Sequence, residues 1–196
     1  MIAGWHGLVA GPPEELVEDS LVLLGHLGDA HRLVDVGAGG GLPGLPLKIA
    51  RPDLAVTLVE ADQAKAAFLV QAVARLGLGD VEVVARRAEE AGRDHRYREA
   101  FDVAVARALA PLPVLVELCL PLVRVGGRLL AQKTDTGKEE IDAAKRAIDL
   151  LGGTLEAVHP APSTARQSGV VVEVAKVRAT PNEYPRRPGV PNRKPL

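Results

Sequence analysis

Apolar and polar stretches alternate along this chain in a strand–helix rhythm. Between Pro13 and Leu27 the apolar positions Val17, Leu21 and Leu24 recur at helical spacing, which predicts a helix with a single apolar face. Arg32 to Val36 reads as a short apolar strand, followed by a glycine-rich turn and a helix from Gly44 to Ala50. Leu54 to Glu60 has the alternation and β-branching of a second strand. The Ala-rich stretch from Asp62 to Leu76 contains no Gly or Pro, and Asp62 stands where a helix N-cap belongs. Three more strands are predicted at Val81–Ala85, Phe101–Ala106 and Arg128–Gln132, with helices at Leu112–Leu122 and Thr136–Leu151. Thr154–His159 and Gly169–Val177 look like a closing pair of strands with no helix between them.

Strands that alternate with helices imply a mostly parallel sheet with helices on both faces. The closing pair adds an antiparallel strand at one edge, for seven strands in an α/β, Rossmann-like architecture. Residues 1–179 are read as one domain with an N-terminal helix. Residues 180–196 carry five prolines among basic side chains and are read as an extended tail, not a folded element.

Composition narrows the setting. A chain of 196 residues with 47% apolar and 25% charged residues suits one soluble domain with a proper core. No apolar run approaches the roughly 20 residues of a membrane span. Met1 to Gly11 lacks the basic start and apolar run of a secretory signal. The single cysteine, Cys119, allows no intrachain disulfide, which suits a reducing cytosol; a cytoplasmic location is expected, and separately a monomer. Five scattered histidines with no CxxC or HExxH spacing give no reason to expect a metal. The net charge of −1 conceals an asymmetry: from Thr164 onward seven basic residues stand against only Glu173 and Glu183.

The chemistry concentrates in Leu33-Val34-Asp35-Val36-Gly37-Ala38-Gly39-Gly40-Gly41-Leu42-Pro43-Gly44. Glycines at 37, 39 and 41 suit a sharp turn or a ligand lying close against the backbone. Such a ligand would sit at the carboxyl end of the first strand, and Glu60, ending the second, can accept from both ribose hydroxyls. The glycines alone also satisfy a dinucleotide fingerprint. Asp35 separates the two readings, because a carboxylate there suits a cationic amino-acid end and faces a pyrophosphate badly. Neither Tyr97 nor Tyr184 begins a Y-x-x-x-K motif, and Leu45-Pro46 stand where a P-loop needs Lys and Ser or Thr. These residues favour S-adenosylmethionine, with S-adenosylhomocysteine as product.

Acceptor chemistry is less marked. Cytosine C5 methylation needs a cysteine nucleophile, whereas Cys119 lies among Val116, Leu118 and Leu120 and reads as core. Ala106-Arg107-Ala108-Leu109 replaces the D-P-P-Y-like loop common for exocyclic amines. A ring nitrogen with a free lone pair needs positioning more than proton transfer, and no convincing general base is visible.

The run Val34 to Leu47, with its Gly-Leu-Pro-Gly, resembles the bacterial small-subunit (16S) rRNA guanine-N7 methyltransferases, the glucose-inhibited division protein B family. The likeness continues through Arg87-Ala88-Glu89-Glu90, Ala106-Arg107-Ala108, Lys133 and the Tyr184-Pro185-Arg186-Arg187-Pro188-Gly189 tail. It implies a class I S-adenosylmethionine methyltransferase fold and activity on 16S rRNA or the small ribosomal subunit. By this resemblance Gly37 and Leu42 touch the methyl donor, Ala88 and Glu89 flank its adenine, and Arg107 lies beside the transfer site as the catalytic candidate. Family members carry a longer upstream stretch ending in Arg-His-x-x-Asp-Ser-Leu. Here Asp19-Ser20-Leu21 is present, but the Arg-His pair is absent and Glu14, Glu15 and Glu18 make the region acidic. The chain is accordingly read as shortened at its N-terminus.

For RNA, Lys133, Arg186 and Arg187 are the phosphate-binding candidates, and the bland alternative for each is plain solvation. Arg86, Arg93, Arg96 and Arg98 read as solvated charge. Two other functions stay open: a small-molecule methyltransferase on the same fold, favoured by the acidic front end, and a non-catalytic module that binds the donor.

Overall fold

The computed structural model describes residues 11–134 and 138–196. Seven strands form one sheet: β1 (Arg32–Val36), β2 (Ala55–Val59), β3 (Val81–Val84), β4 (Phe101–Arg107), β5 (Val123–Lys133), β6 (Gly153–Pro160) and β7 (Val170–Lys176). Their spatial order is β3-β2-β1-β4-β5-β7-β6. β1 to β5 run parallel, and β7 runs antiparallel to both β5 and β6. The antiparallel strand of the closing pair thus lies one place in from the edge. The chain builds β1, β2 and β3 outward, then returns to place β4 on the other side of β1. That reversal opens a crevice beyond the carboxyl ends of β1 and β4, where ligands bind in such sheets.

Alternation along the strands feeds two cores. Val34, Val36, Ala104 and Ala106 face the layer that contains the short α4 (Ala88–Ala91), α5 (Leu112–Cys119) and α6 (Lys138–Leu150). Leu33, Val103 and Val105 face the layer that contains α2 (Gly44–Ala50) and α3 (Gln63–Leu76). Asp62 caps α3 as expected, accepting from the N–H groups of Ala64 and Lys65 at 2.9 and 3.0 Å. Cys119 is fully buried, and burial pushes its thiol pKa well up, in keeping with a core filler. The expected start of α6 at Thr136 lies outside the described residues.

Several expectations need correction. The first helix, α1, covers only Pro13–Leu21, and a 3₁₀ turn follows at Leu24–His26. Its buried side is Leu16, Asp19 and Ser20, while Val17 is 37% exposed. Ion pairs from Asp19 to Arg107 and Arg166 turn that side inward, against the apolar pattern. β5 also starts earlier than its apolar run, at Val123, because Val123 pairs with Phe101 across a register shift.

The tail is docked rather than extended. Arg98 donates to the carbonyls of Thr180 (2.7 Å) and Tyr184 (2.8 Å), and Arg93 to those of Pro185 (2.7 Å) and Glu183 (2.8 Å). Arg93 and Arg98 are therefore clamps, not solvated charge. Beyond them a short helix, α7 (Val190–Arg193), lies against α5.

Candidate active site

The glycine turn leaves β1 with φ of 74° at Gly37, 54° at Gly39 and 87° at Gly41. L side chains rarely adopt such values. Gly37 and Ala38 donate their N–H groups to the Val59 carbonyl, which ties the turn to the end of β2. At Gly44 a Cβ would meet Leu58 Cδ2 at 2.6 Å and Asp35 Oδ2 at 2.8 Å, so only glycine lets α2 start this close to β1.

Two cavities open on the crevice and share Gly37, Gly39, Arg107 and Ala108. The smaller, about 300 Å³, is bounded by Glu60, Lys65, Ala88 and Glu89. The larger, about 760 Å³, is bounded by Asp19, Leu42, Gln132, Lys133 and Arg166.

Glu60 is nearly buried. Its Oε2 accepts from Gly39 N–H and its Oε1 from Asp62 N–H, both at 2.8 Å. Each oxygen keeps a lone pair, so the carboxylate is held still and can accept from two vicinal hydroxyls. A Cβ built on Gly39 would find only Gly37 O, at 3.8 Å, and would otherwise project into open space. A flat, hydroxyl-bearing nucleoside fits this cradle, and the second cavity leaves room for an extension past Gly37. Glu89, almost fully buried, accepts from the tail's Gly189 N–H at 2.8 Å. Asn192 of α7 also lines the smaller cavity. Among the described residues the tail therefore forms part of this wall.

The expected ligand residues divide. Gly37, Gly39, Glu60, Ala88, Glu89 and Arg107 border the smaller cavity, and Leu42 borders the larger. Asp35 borders neither. It is fully buried beneath the turn, where Oδ2 accepts from Gly44 N–H at 2.8 Å and Oδ1 has no hydrogen-bond partner. Burial raises its pKa to about 7. Asp35 thus shapes the turn, because its side chain spans the gap between β1 and α2. Gly41 likewise faces Leu45 and borders an apolar groove instead.

On the larger cavity, Asp19 is a hub that sequence reading missed as a site residue. Its carboxylate accepts from Ser163 Oγ (2.6 Å), Arg166 Nε (2.7 Å) and Arg107 Nη1 (3.3 Å). Arg166 also donates to the Lys133 carbonyl, and Gln132 Nε2 to the Asp19 carbonyl. Gln132 Oε1 and Arg166 Nη2 are buried without a partner. Leaving such a group unsatisfied costs about 1–3 kcal/mol, so this wall is suited to a polar ligand. Ala108 follows Arg107 with a φ of 50°, uncommon away from glycine and concentrated at functional sites. The Asp19-Ser20-Leu21 motif was the one available signal for Asp19; nothing local marked Arg166 or Asn192.

The phosphate candidates also divide. Arg186 is engaged by the fully buried Glu117, with Nε to Oε1 at 2.9 Å and Nη2 to Oε2 at 2.5 Å. Lys133 Nζ is held by Glu140 Oε1 at 2.6 Å. Arg187 is exposed.

The chain matches the family described as rRNA small subunit methyltransferase G over residues 12–168. It is 48% identical over 168 residues to the ribosomal RNA small subunit methyltransferase G of Moorella thermoacetica, covering 85% of this chain and 70% of the relative. A similar fold occurs in a SAM-dependent methyltransferase from Aquifex aeolicus, with TM-score 0.63, 16% identity, and 85% and 94% of the two chains covered. It also occurs in an O-methyltransferase of neocarzinostatin biosynthesis in complex with S-adenosylmethionine. There the TM-score is 0.59 and the identity 19%, with 74% of this chain and 49% of the other covered.

Proposed function

The chain belongs to the rRNA small subunit methyltransferase G family, and from that premise we propose that it is an S-adenosylmethionine-dependent enzyme that methylates N7 of a guanine in 16S rRNA. The observation that carries this reading is the junction of the two cavities at Gly37, Gly39, Arg107 and Ala108. A nucleoside-shaped cradle there meets a larger cavity walled by arginine and glutamine. S-adenosylmethionine, when bound, supplies an electrophilic methyl group. Glu60 orients the ribose and the Gly37–Gly39 backbone lies against the ligand, while Ala88, Glu89 and Asn192 enclose the base. Arg107 stands at the junction, held by Asp19.

A guanine N7 lone pair needs no deprotonation, so the acceptor side has to position rather than remove a proton. Gln132 and Arg166 carry the unpartnered polar atoms that support recognition of a base in this cavity. For the RNA backbone, exposed Arg187 and exposed Arg87 on the rim of the smaller cavity are the stronger candidates, whereas Arg86 is paired with Asp94. Arg186 is assigned to holding the tail, and Lys133 to the cavity wall.

The test incubates the protein with methyl-labelled donor and small ribosomal subunits lacking the modification, free 16S rRNA, or a pool of metabolites. Label in rRNA, at a guanine that becomes sensitive to chemical strand cleavage, is the expected result. Label confined to the metabolites, or donor bound with no transfer to any acceptor, overturns it.

A further inference from the structure

A cluster unrelated to the two cavities lies where the N-terminal segment meets the far edge of the sheet. His26 ends the 3₁₀ turn after α1, His159 lies on β6 and Glu173 on β7. One ligand atom from each falls within 4.8 Å of the others. The two imidazole centroids are 4.6 Å apart with their planes tilted by 44°. His159 Nε2 is 2.8 Å from Glu173 Oε2. The other carboxylate oxygen, Oε1, is engaged by Arg128 Nη1 at 3.3 Å. All three side chains are partly buried, and none borders either cavity.

We propose that His26, His159 and Glu173 form a site for a divalent cation of the zinc type, and that this cation clasps the N-terminal segment to the β6–β7 edge. Two imidazoles and a carboxylate, with water in a fourth position, are a ligand set that zinc adopts at about 2.0–2.2 Å per bond. Tetrahedral bonds of that length separate neighbouring ligand atoms by about 3.3 Å. The His159–Glu173 pair opens slightly to reach that spacing and the third ligand moves inward, within the range of side-chain rotation. Arg128 acts as the outer partner that orients the carboxylate, as outer hydrogen bonds do at metal sites. Motifs of the HExxH kind cannot reveal such a site, because its ligands come from three separate elements. The consequence reaches the crevice, since the same N-terminal segment carries Asp19, the residue that holds Arg107 and Arg166.

The test uses the tag-free 196-residue chain, dialysed against chelator and then titrated with Zn²⁺ and Co²⁺. Metal content, the visible absorption of bound cobalt and Tm are the readouts. One equivalent of metal and a raised Tm are expected. His26→Ala, His159→Gln and Glu173→Gln should each weaken binding on the order of ten-fold or more and abolish the Tm rise. The double variant His31→Ala/His95→Ala should bind as the parent does. Tm of each metal-free variant separates lost binding from lost folding. No stoichiometric binding, or binding unchanged in the His26 and His159 variants, overturns the site. Binding without a Tm rise overturns the clasp.

Discussion

Asp35→Asn is the sharpest test of the buried carboxylate beneath the turn. Burial raises the Asp35 pKa to about 7, against 3.8 for an unperturbed group. Between those values the folded protein keeps a proton that the unfolded chain has lost. Asp35 therefore contributes stability at low pH that drains away as pH rises toward 7. Each unit is worth about 1.4 kcal/mol, so the contribution falls by about 2–3 kcal/mol between pH 5 and 8 and is flat above that. Asparagine keeps an acceptor for Gly44 N–H but does not titrate. Its amide nitrogen takes the place of the unpartnered Oδ1, which adds a pH-independent cost of about 1–3 kcal/mol. The informative quantity is consequently the slope, not the offset. Denaturant unfolding of parent and variant at pH 5, 6, 7 and 8 should show Asp35→Asn gaining on the parent by about 2–3 kcal/mol across that range. Asp53, Asp94 and Asp102, whose pKa values are lowered, are present in both proteins and cancel in the difference. A difference that stays constant with pH would refute the argument.

Arg186→Ala leaves Glu117 buried without its ion partner and should cost about 3–5 kcal/mol. Denaturant unfolding and limited proteolysis within residues 180–196 check this, and full tail protection in the variant counts against docking. Gly39→Val places a branched side chain in the smaller cavity at a φ of 54° and should weaken donor binding at least ten-fold by calorimetry. Parent-like affinity would remove Gly39 from the donor cradle. Arg187→Glu should weaken RNA binding and lower the salt slope by roughly 0.7–0.9 for each phosphate that Arg187 neutralises, with Tm unchanged. An unaltered slope would discard Arg187 as an RNA ligand. Asp19→Asn releases the charge pairing of Arg107 and Arg166; kcat for rRNA should fall more than donor affinity, and an equal loss in both would contradict its position on the acceptor side.

Periodicity makes most of the fold legible. Six strands fall within a residue of their expected bounds and β5 alone starts well before its apolar run; β1, β2 and β4 are buried on both faces and leave near-unbroken apolar runs, whereas β6 alternates. The Asp62 cap was legible for a local reason, since its acceptor sits beside the N–H groups it satisfies. The facing of the first helix is not legible in its own residues, because Arg107, Ser163 and Arg166, all distant in sequence, decide which side of it turns inward. The docking of the tail is hidden from the sequence for a related reason. Arg93 and Arg98 bind backbone carbonyls, and every residue offers a carbonyl, so sequence holds no sign of which one an arginine will find.

The site itself was legible at its glycines and less so at its carboxylates. Asp35 and Glu60 both end parallel neighbouring strands, and their sequence settings invite the same role. The fold gives them opposite ones. Asp35 points beneath the turn to reach Gly44, where the missing Cβ leaves space for it. Glu60 is fixed by two backbone N–H groups at the open end of the crevice. The preference for a methyl donor over a dinucleotide therefore cannot rest on Asp35 meeting a cationic ligand end. It rests on the joined cavities and the family match. What Asp35 supplies is the rigid connection between β1 and α2, which keeps the Gly37–Gly39 backbone in place beside Glu60.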